Sequence, residues 1–205
     1  LVSDGGWSLD LSTAINDRAL FHLDNAYYIP AVHFSGRVAK TNVTSHTAFR
    51  GFGGPQGMLV IEEIMDRVAR QTGLPPEVVR ERNLYHGTGE TNRTHYHEDI
   101  GDNRIQDIWA QVLAKAEFAK RRTDVSQWNR ANPHMKRGLA VTPVKFGIGL
   151  SLAHYHRAGA LVHIYQDGSV PVNHGGTEMG QGLHTKILGV AMRELGLPAA
   201  SIRLM

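Results

Sequence analysis

Two glycine-rich segments carry the most distinctive chemistry in the chain. One is Thr47-Ala48-Phe49-Arg50-Gly51-Phe52-Gly53-Gly54-Pro55-Gln56-Gly57, the other His174-Gly175-Gly176-Thr177-Glu178-Met179-Gly180-Gln181-Gly182. Glycine removes the Cβ and permits positive φ, so such loops let the backbone approach a bulky polar ligand. Where a helix follows, its first amides can receive anionic or oxo groups. Neither loop ends in Gly-Lys-Ser/Thr, so neither is a phosphate-binding P-loop. Neither reads Gly-x-Gly-x-x-Gly followed by a ribose-binding acid. Two further triplets, His95-Tyr96-His97 and His154-Tyr155-His156, would each put two imidazoles on one face of an extended chain. No third ligand is fixed by spacing, as His-Glu-x-x-His would supply, so solvated or hydrogen-bonded histidines are expected there.

The elements that must position these loops follow from periodicity and punctuation. Residues 12–27 are helix-compatible, and an extended stretch runs on through Val38. Pro55 suits the first turn of a strong helix carrying Ile61, Ile64, Met65 and Val68, with Gly73 as its stop. Pro75-Pro76 opens a second, short helix through Asn83. The stretch from His86 to Asn103 is polar, aperiodic and interrupted by glycine, and reads as a linker. Ile105, Ile108, Trp109, Val112 and Leu113 then form an amphipathic helix with Asp102 or Asn103 near its cap. Strands are expected over 138–148 and 158–165, with Asp167-Gly168 turning the latter into Val170–Asn173. A last helix over 183–195 carries Ile187, Leu188, Ala191, Met192 and Leu195 on one face. The expected class is α+β in two lobes, 1–98 and 99–205, and both termini read as cut ends.

Bulk properties narrow the function classes. A hydrophobic content of 41% and a charged content of 20% are ordinary for a globular protein. No apolar run approaches the roughly 18 residues of a membrane span, and no signal peptide opens the chain. The sequence contains no cysteine, which excludes disulfides, thiolate zinc sites, cysteine nucleophiles and any iron–sulfur cluster held by this chain. A cytoplasmic location and no membrane partner are expected. Net charge is +3, and the basic residues are dispersed apart from short clusters such as Lys120-Arg121-Arg122, which argues against nucleic acid as a partner.

Taken together, Ala48 to Gly57 and His174 to His184 closely resemble two signature stretches of the xanthine dehydrogenase and aldehyde oxidase family. The likeness continues in order through Arg18-Ala19-Leu20-Phe21-His22, Asn83-Leu84-Tyr85, Thr142-Pro143-Val144-Lys145-Phe146-Gly147-Ile148 and Ala158-Gly159-Ala160-Leu161-Val162-His163. The resemblance implies that 1–98 is the C-terminal part of a first molybdopterin-binding lobe and 99–205 the N-terminal part of a second. It implies a molybdenum hydroxylase that oxidises a purine such as hypoxanthine or xanthine with water-derived oxygen. Electrons would leave through 2Fe-2S clusters and FAD in other domains or subunits, and a homodimer of such protomers is implied.

The resemblance also assigns roles. Arg50 matches the arginine beside the molybdenum centre, and its loop, with Gly51, supplies backbone contact to the metal's ligands. Phe52 matches the phenylalanine that packs on the flat substrate ring, a contact suited to a heteroaromatic ligand. Arg18 matches the catalytic arginine that polarises a purine oxygen, where a permanently charged guanidinium helps most as negative charge develops. Gln181 matches the glutamine that hydrogen-bonds the cofactor, with Gly180 and Gly182 keeping the approach open. Leu150 and Ser151 are expected to line the substrate pocket. Purine-oxidising relatives usually read Phe-Gly-Ile-Ser-Phe-Thr where this chain has Phe146-Gly147-Ile148-Gly149-Leu150-Ser151, so the second aromatic wall is replaced by Leu150. That departure motivates an alternative substrate, another N-heterocycle or an aldehyde. The family's general-base glutamate is expected beyond Met205, and a further cofactor loop and a substrate-binding glutamate before Leu1; Glu178 is not assigned as the base. Without the base this segment alone should not turn over. If the natural chain ended at Met205, a non-catalytic binding module would be the alternative. A histidine-ligated metalloprotein rests on the two His-Tyr-His triplets only. The choice between NAD and oxygen as acceptor lies in the flavin part.

Overall fold

The structure, a computed structural model, describes residues 1–147, 149 and 153–205. The expectations for Leu150 and Ser151 lie outside the described residues. The α+β expectation holds: among the described residues there are six α-helices, one two-stranded sheet and one three-stranded sheet. The chain divides into two compact units, Leu1–Ile148 and Gly149–Met205.

In the first unit, β1 (Val2–Asp4) pairs in parallel with β2 (Arg37–Ala39), and α1 (Ser12–Phe21) lies between them in sequence. The expected helix over 12–27 stops at Phe21, because His22 caps it and Asn25 turns into positive φ at 42°. α2 (Gly54–Thr72) begins after Gly53 in a left-handed conformation and ends on Gly73 at φ 70°. Its buried stripe is Ile61, Met65 and Ala69, spaced i, i+4, i+8, whereas Ile64 and Val68 are about two-fifths exposed. The expected stripe was therefore rotated by part of a turn. α3 (Pro76–Asn83) follows, and the α2 stripe packs with Ala26, Tyr27, Val79, Leu84 and Trp109 into one core. Burying side chains of this size contributes roughly 1.5–3 kcal/mol each for the large aliphatic ones.

Trp109 belongs to α4 (Ile105–Lys115), and Val141 packs against the same core. Residues 99–147 are thus part of the first compact unit, which ends at Ile148, whereas the sequence places the lobe boundary at 98 and 99. α4 starts where Asn103 Oδ1 accepts the Ile105 amide at 3.1 Å. α5 (Phe118–Ala131) was not expected, since its charged sequence offers no apolar stripe. The strand expected over 138–148 is absent among its described residues; that stretch is irregular and held by side chains instead.

In the second unit, β3 (Ala160–Val162) pairs antiparallel with β4 (Val170–His174), which pairs in parallel with β5 (Ile202–Leu204). The turn at Asp167-Gly168 forms as expected, with Gly168 at φ 82° and Asp167 Oδ1 accepting the Ser169 amide at 2.9 Å. α6 (Leu183–Leu195) covers the sheet, its Ile187, Leu188, Ala191, Met192 and Leu195 packing on Val170, Val172 and Ile202.

Candidate functional site

The first glycine-rich loop is a strained turn pressed against α1. Gly51, Phe52 and Gly53 take successive φ values of 92°, 49° and 101°. A non-glycine residue held in that region costs of order 1–3 kcal/mol and persists only where its surroundings enforce it. The enforcement is visible in the packing. A Cβ on Gly53 would lie 2.0 Å from the Ile15 carbonyl oxygen, and one on Gly57 would lie 2.3 Å from that of Ala19. The start of α2 and the backbone of α1 therefore touch through glycine. A Cβ on Gly54 would lie 2.5 Å from the Phe146 ring. Phe52 is half-buried, and Arg50 is exposed next to Phe49, itself 82% exposed.

α1 thereby brings Arg18 to the same place. Arg18 is 6% exposed, its guanidinium donates to the Gly147 carbonyl, and it sits 5.1 Å from the Phe146 ring centroid. Burial pushes the guanidinium down from its ordinary value while Tyr96 pulls it back up. A guanidinium starts from so high a value that it stays cationic. One turn on, His22 hydrogen-bonds the Arg18 carbonyl through Nδ1 at 2.9 Å and accepts the Gly147 amide on Nε2 at 3.2 Å. The structure thus brings Arg18, the Gly51–Gly54 turn and Phe146-Gly147 together.

What fixes residues 143–147 was missed by sequence reasoning. Asn25, 1% exposed, donates to Pro143 O at 2.9 Å and to Glu62 Oε1 at 2.9 Å, and accepts the Lys145 amide at 3.0 Å. Asp24 Oδ2 accepts from Lys145 Nζ at 2.5 Å and from Tyr85 at 2.6 Å, with His95 Nδ1 at 3.3 Å. Burial pushes the Asp24 carboxyl up, but His95, Lys145 and Tyr85 together hold it below the ordinary carboxylate range. A second buried ionic cluster ties α3 to α2: Arg80, 4% exposed, reaches Glu62 at 2.7 Å and Asp66 at 2.8 Å. The sequence signal for the first cluster is the Asp24-Asn25 pair in a largely apolar stretch. A cavity of about 390 Å³ lies beside Asp24, Tyr85, His95 and His97, and Arg18, Arg50, Phe52 and Gln181 do not line it.

The histidine triplets are not extended. Residues 94–97 form a turn with His97 at φ 68°, and Tyr155 ends a short 3-10 helix. Among the described residues, no group of three or more histidine, aspartate or glutamate side chains could hold a metal ion.

The second glycine-rich loop joins β4 to α6 and is stapled by its own side chains. Glu178 Oε1 accepts the amides of Gly180 at 2.7 Å and Gly182 at 3.1 Å, and Oε2 accepts that of His184 at 3.1 Å. Those backbone hydrogen bonds, His184 foremost, hold the Glu178 carboxyl down to about 2. The amides expected to receive an oxo or anionic ligand at the start of α6 are thus occupied by Glu178. Gln181 donates to Thr177 O at 2.8 Å and accepts the Met179 amide at 2.6 Å. Each contact uses one of the two hydrogen-bonding positions on that amide atom, so one donor and one acceptor position are left. A Cβ on Gly182, at φ 77°, would meet nothing within 4 Å. The exposed amide of Gln181 beside this open glycine fits a flat polar group such as a pterin. The two loops lie in different units.

Comparison with known proteins agrees in order along the chain. A family described as "Molybdopterin cofactor-binding domain" matches residues 1–84, and a second of the same description matches residues 111–205. The chain is 49% identical over 200 residues to xanthine dehydrogenase/oxidase of Gallus gallus, covering 98% of this chain and 14% of that protein. It is 45% identical over 201 residues to aldehyde oxidase 2 of Macaca fascicularis, covering 98% of this chain and 15% of that one. Quinoline 2-oxidoreductase from Pseudomonas putida 86 superposes with a TM-score of 0.71 at 21% identity, covering all of this chain and 27% of that one, a likeness of fold.

Proposed function

We propose that this chain, which belongs to the xanthine dehydrogenase and aldehyde oxidase family of molybdopterin cofactor-binding domains, works as the cofactor- and substrate-binding part of a purine hydroxylase. The observation that carries the reading is Arg18: a guanidinium 6% exposed, held against Phe146 and Gly147 beside a strained glycine turn. A buried cation with several donors is suited to an oxygen on which negative charge grows during reaction.

When bound, the molybdenum–pterin cofactor supplies the two-electron redox chemistry and the site at which water-derived oxygen is delivered. The chain's own residues do the rest. Arg18 binds and polarises a purine oxygen. Phe52 presents a ring face to the heterocycle. Arg50 and Gly51 would bring main chain to the metal's ligands. Gln181 would hydrogen-bond the pterin, with Gly180 and Gly182 leaving the approach open. The 2Fe-2S clusters and FAD belong to other domains or subunits, since this chain has no cysteine to hold a cluster. The working protein is a cytoplasmic homodimer of such protomers, serving purine catabolism. No helix among the described residues is long and apolar enough to cross a membrane. Leu150 favours a second reading, oxidation of another N-heterocycle or an aldehyde.

Arg18→Gln in the holoprotein tests the assignment. It should lower kcat/KM for hypoxanthine by about 10²–10³-fold, the usual loss for one donor to a developing charge, with molybdenum content unchanged. Undiminished hypoxanthine turnover in the variant would remove Arg18 from the role. Wild-type turnover of other heterocycles or aldehydes, with none of hypoxanthine or xanthine, would select the second reading.

A further inference from the structure

The Gly147 peptide unit is held from both sides by the last turn of α1. Its carbonyl accepts from the Arg18 guanidinium, and its amide donates to His22 Nε2 at 3.2 Å. Arg18 and the C-cap His22 are four apart, hence neighbours on one side of the end of α1. His22 is 5% exposed, and its ring lies 5.1 Å from that of Phe146, the residue that also stacks beneath Arg18.

The protonation state of His22 follows from its partners. The Arg18 carbonyl can only accept, so Nδ1 carries the hydrogen; the Gly147 amide can only donate, so Nε2 must present its lone pair. The ring is therefore neutral in one defined tautomer. A second proton would sit on Nε2 facing the Gly147 N–H and would break that bond. From these contacts we propose that His22 is a positioning residue: its neutral imidazole sets the Phe146-Gly147 segment in register with Arg18 and so aims the guanidinium at substrate. This rests on Arg18 having the substrate role given above.

The surroundings favour the neutral ring. Burial lowers the His22 pKa most, and the charges of Arg18 and Lys145 lower it further, against the Arg18 carbonyl bond and the Asp24 charge, which raise it. The folded state thus binds fewer protons at His22 than the unfolded chain, whose value is near 6.5. Stability contributed here is present above that value and is lost as pH falls below it.

The experiment compares wild type, His22→Gln and His22→Ala in the holoprotein, reading kcat/KM for hypoxanthine and melting temperature between pH 5 and 8. Glutamine presents both a donor and an acceptor and does not titrate. Wild type should lose kcat/KM and melting temperature on the acid side. His22→Gln should recover most of the activity at pH 7.5 and flatten both acid limbs. His22→Ala should fall about tenfold below wild type at pH 7.5, the effect of the lost Gly147 hydrogen bond, and converge with wild type at pH 5. Acid limbs unchanged in His22→Gln, or full activity in His22→Ala, would overturn the proposal. If wild type neither holds molybdenum nor acts on hypoxanthine, the functional reading falls instead, and the melting curves of wild type and His22→Gln still decide whether a neutral His22 braces the fold. A His22→Gln protein that melts well below wild type at pH 7.5 would also overturn it.

Discussion

The two glycine-rich loops share a composition and differ in what their glycines do. In the first, Gly53 and Gly57 are spent on the contact between α1 and α2, where a Cβ would strike a carbonyl oxygen at 2.0 or 2.3 Å. In the second, Gly182 faces open space, and the loop's shape comes from Glu178 and Gln181 hydrogen-bonding its own backbone. Glycine in the first loop is a packing requirement that carries Arg18 to Phe146-Gly147. In the second, Gly182 leaves open space beside the loop, while Gly176 packs on Leu183, where a Cβ would lie 2.5 Å from the side chain. The lesson is that a glycine-rich motif announces close approach without saying whether the approaching group is a helix or a ligand.

Substitution at equivalent-looking glycines breaks the comparison most sharply. Gly53→Ala combines overpacking with strain at φ 101°, and should cost about 3 kcal/mol or more in chemical denaturation. Gly182→Ala meets no neighbour and should cost only the left-handed strain, about 1–2 kcal/mol, while reducing cofactor retention. Equal costs at the two positions would mean that the loops are alike after all. A smaller effect is expected from Glu178→Gln, read by hydrogen exchange. The Gly180, Gly182 and His184 amides should exchange faster while the core of α6 stays protected. Because the Glu178 carboxyl is depressed from 4.5 to about 2, its stabilisation is complete above pH 4.5 and lost only as pH falls through about 2. Wild-type protection at these amides should therefore show no carboxylate transition between pH 5 and 8.

Much of this was legible before the fold was known. α2, α3 and α6 are marked by proline or glycine at their ends and by apolar residues at helical spacing, signals that are local. α5 was not legible, since a helix such as Phe118–Ala131, with one buried residue, leaves no stripe to read. The strand expected over 138–148 failed for a different reason. Its β-rich sequence suits a strand, but Asn25 takes the Pro143 carbonyl and the Lys145 amide, and His22 takes the Gly147 amide. Partners 118 to 125 residues away cannot be inferred from local pattern. The same holds for the Asp24–Lys145 and Glu62–Arg80 ion pairs. Of the candidate site, both loops and Arg18 stood out as motif. The role of His22 did not, because a histidine one turn after an arginine is unremarkable until the Gly147 peptide is seen between them.

The most direct test of the central claim is the molybdenum and pterin content of the natural full-length protein that carries this chain, expressed in a host that makes the cofactor. About one molybdenum with bound pterin per polypeptide is the predicted result. Absence of both, in a protein that is folded by its melting curve, would contradict the assignment and leave a binding module that shares only ancestry with the molybdenum hydroxylases.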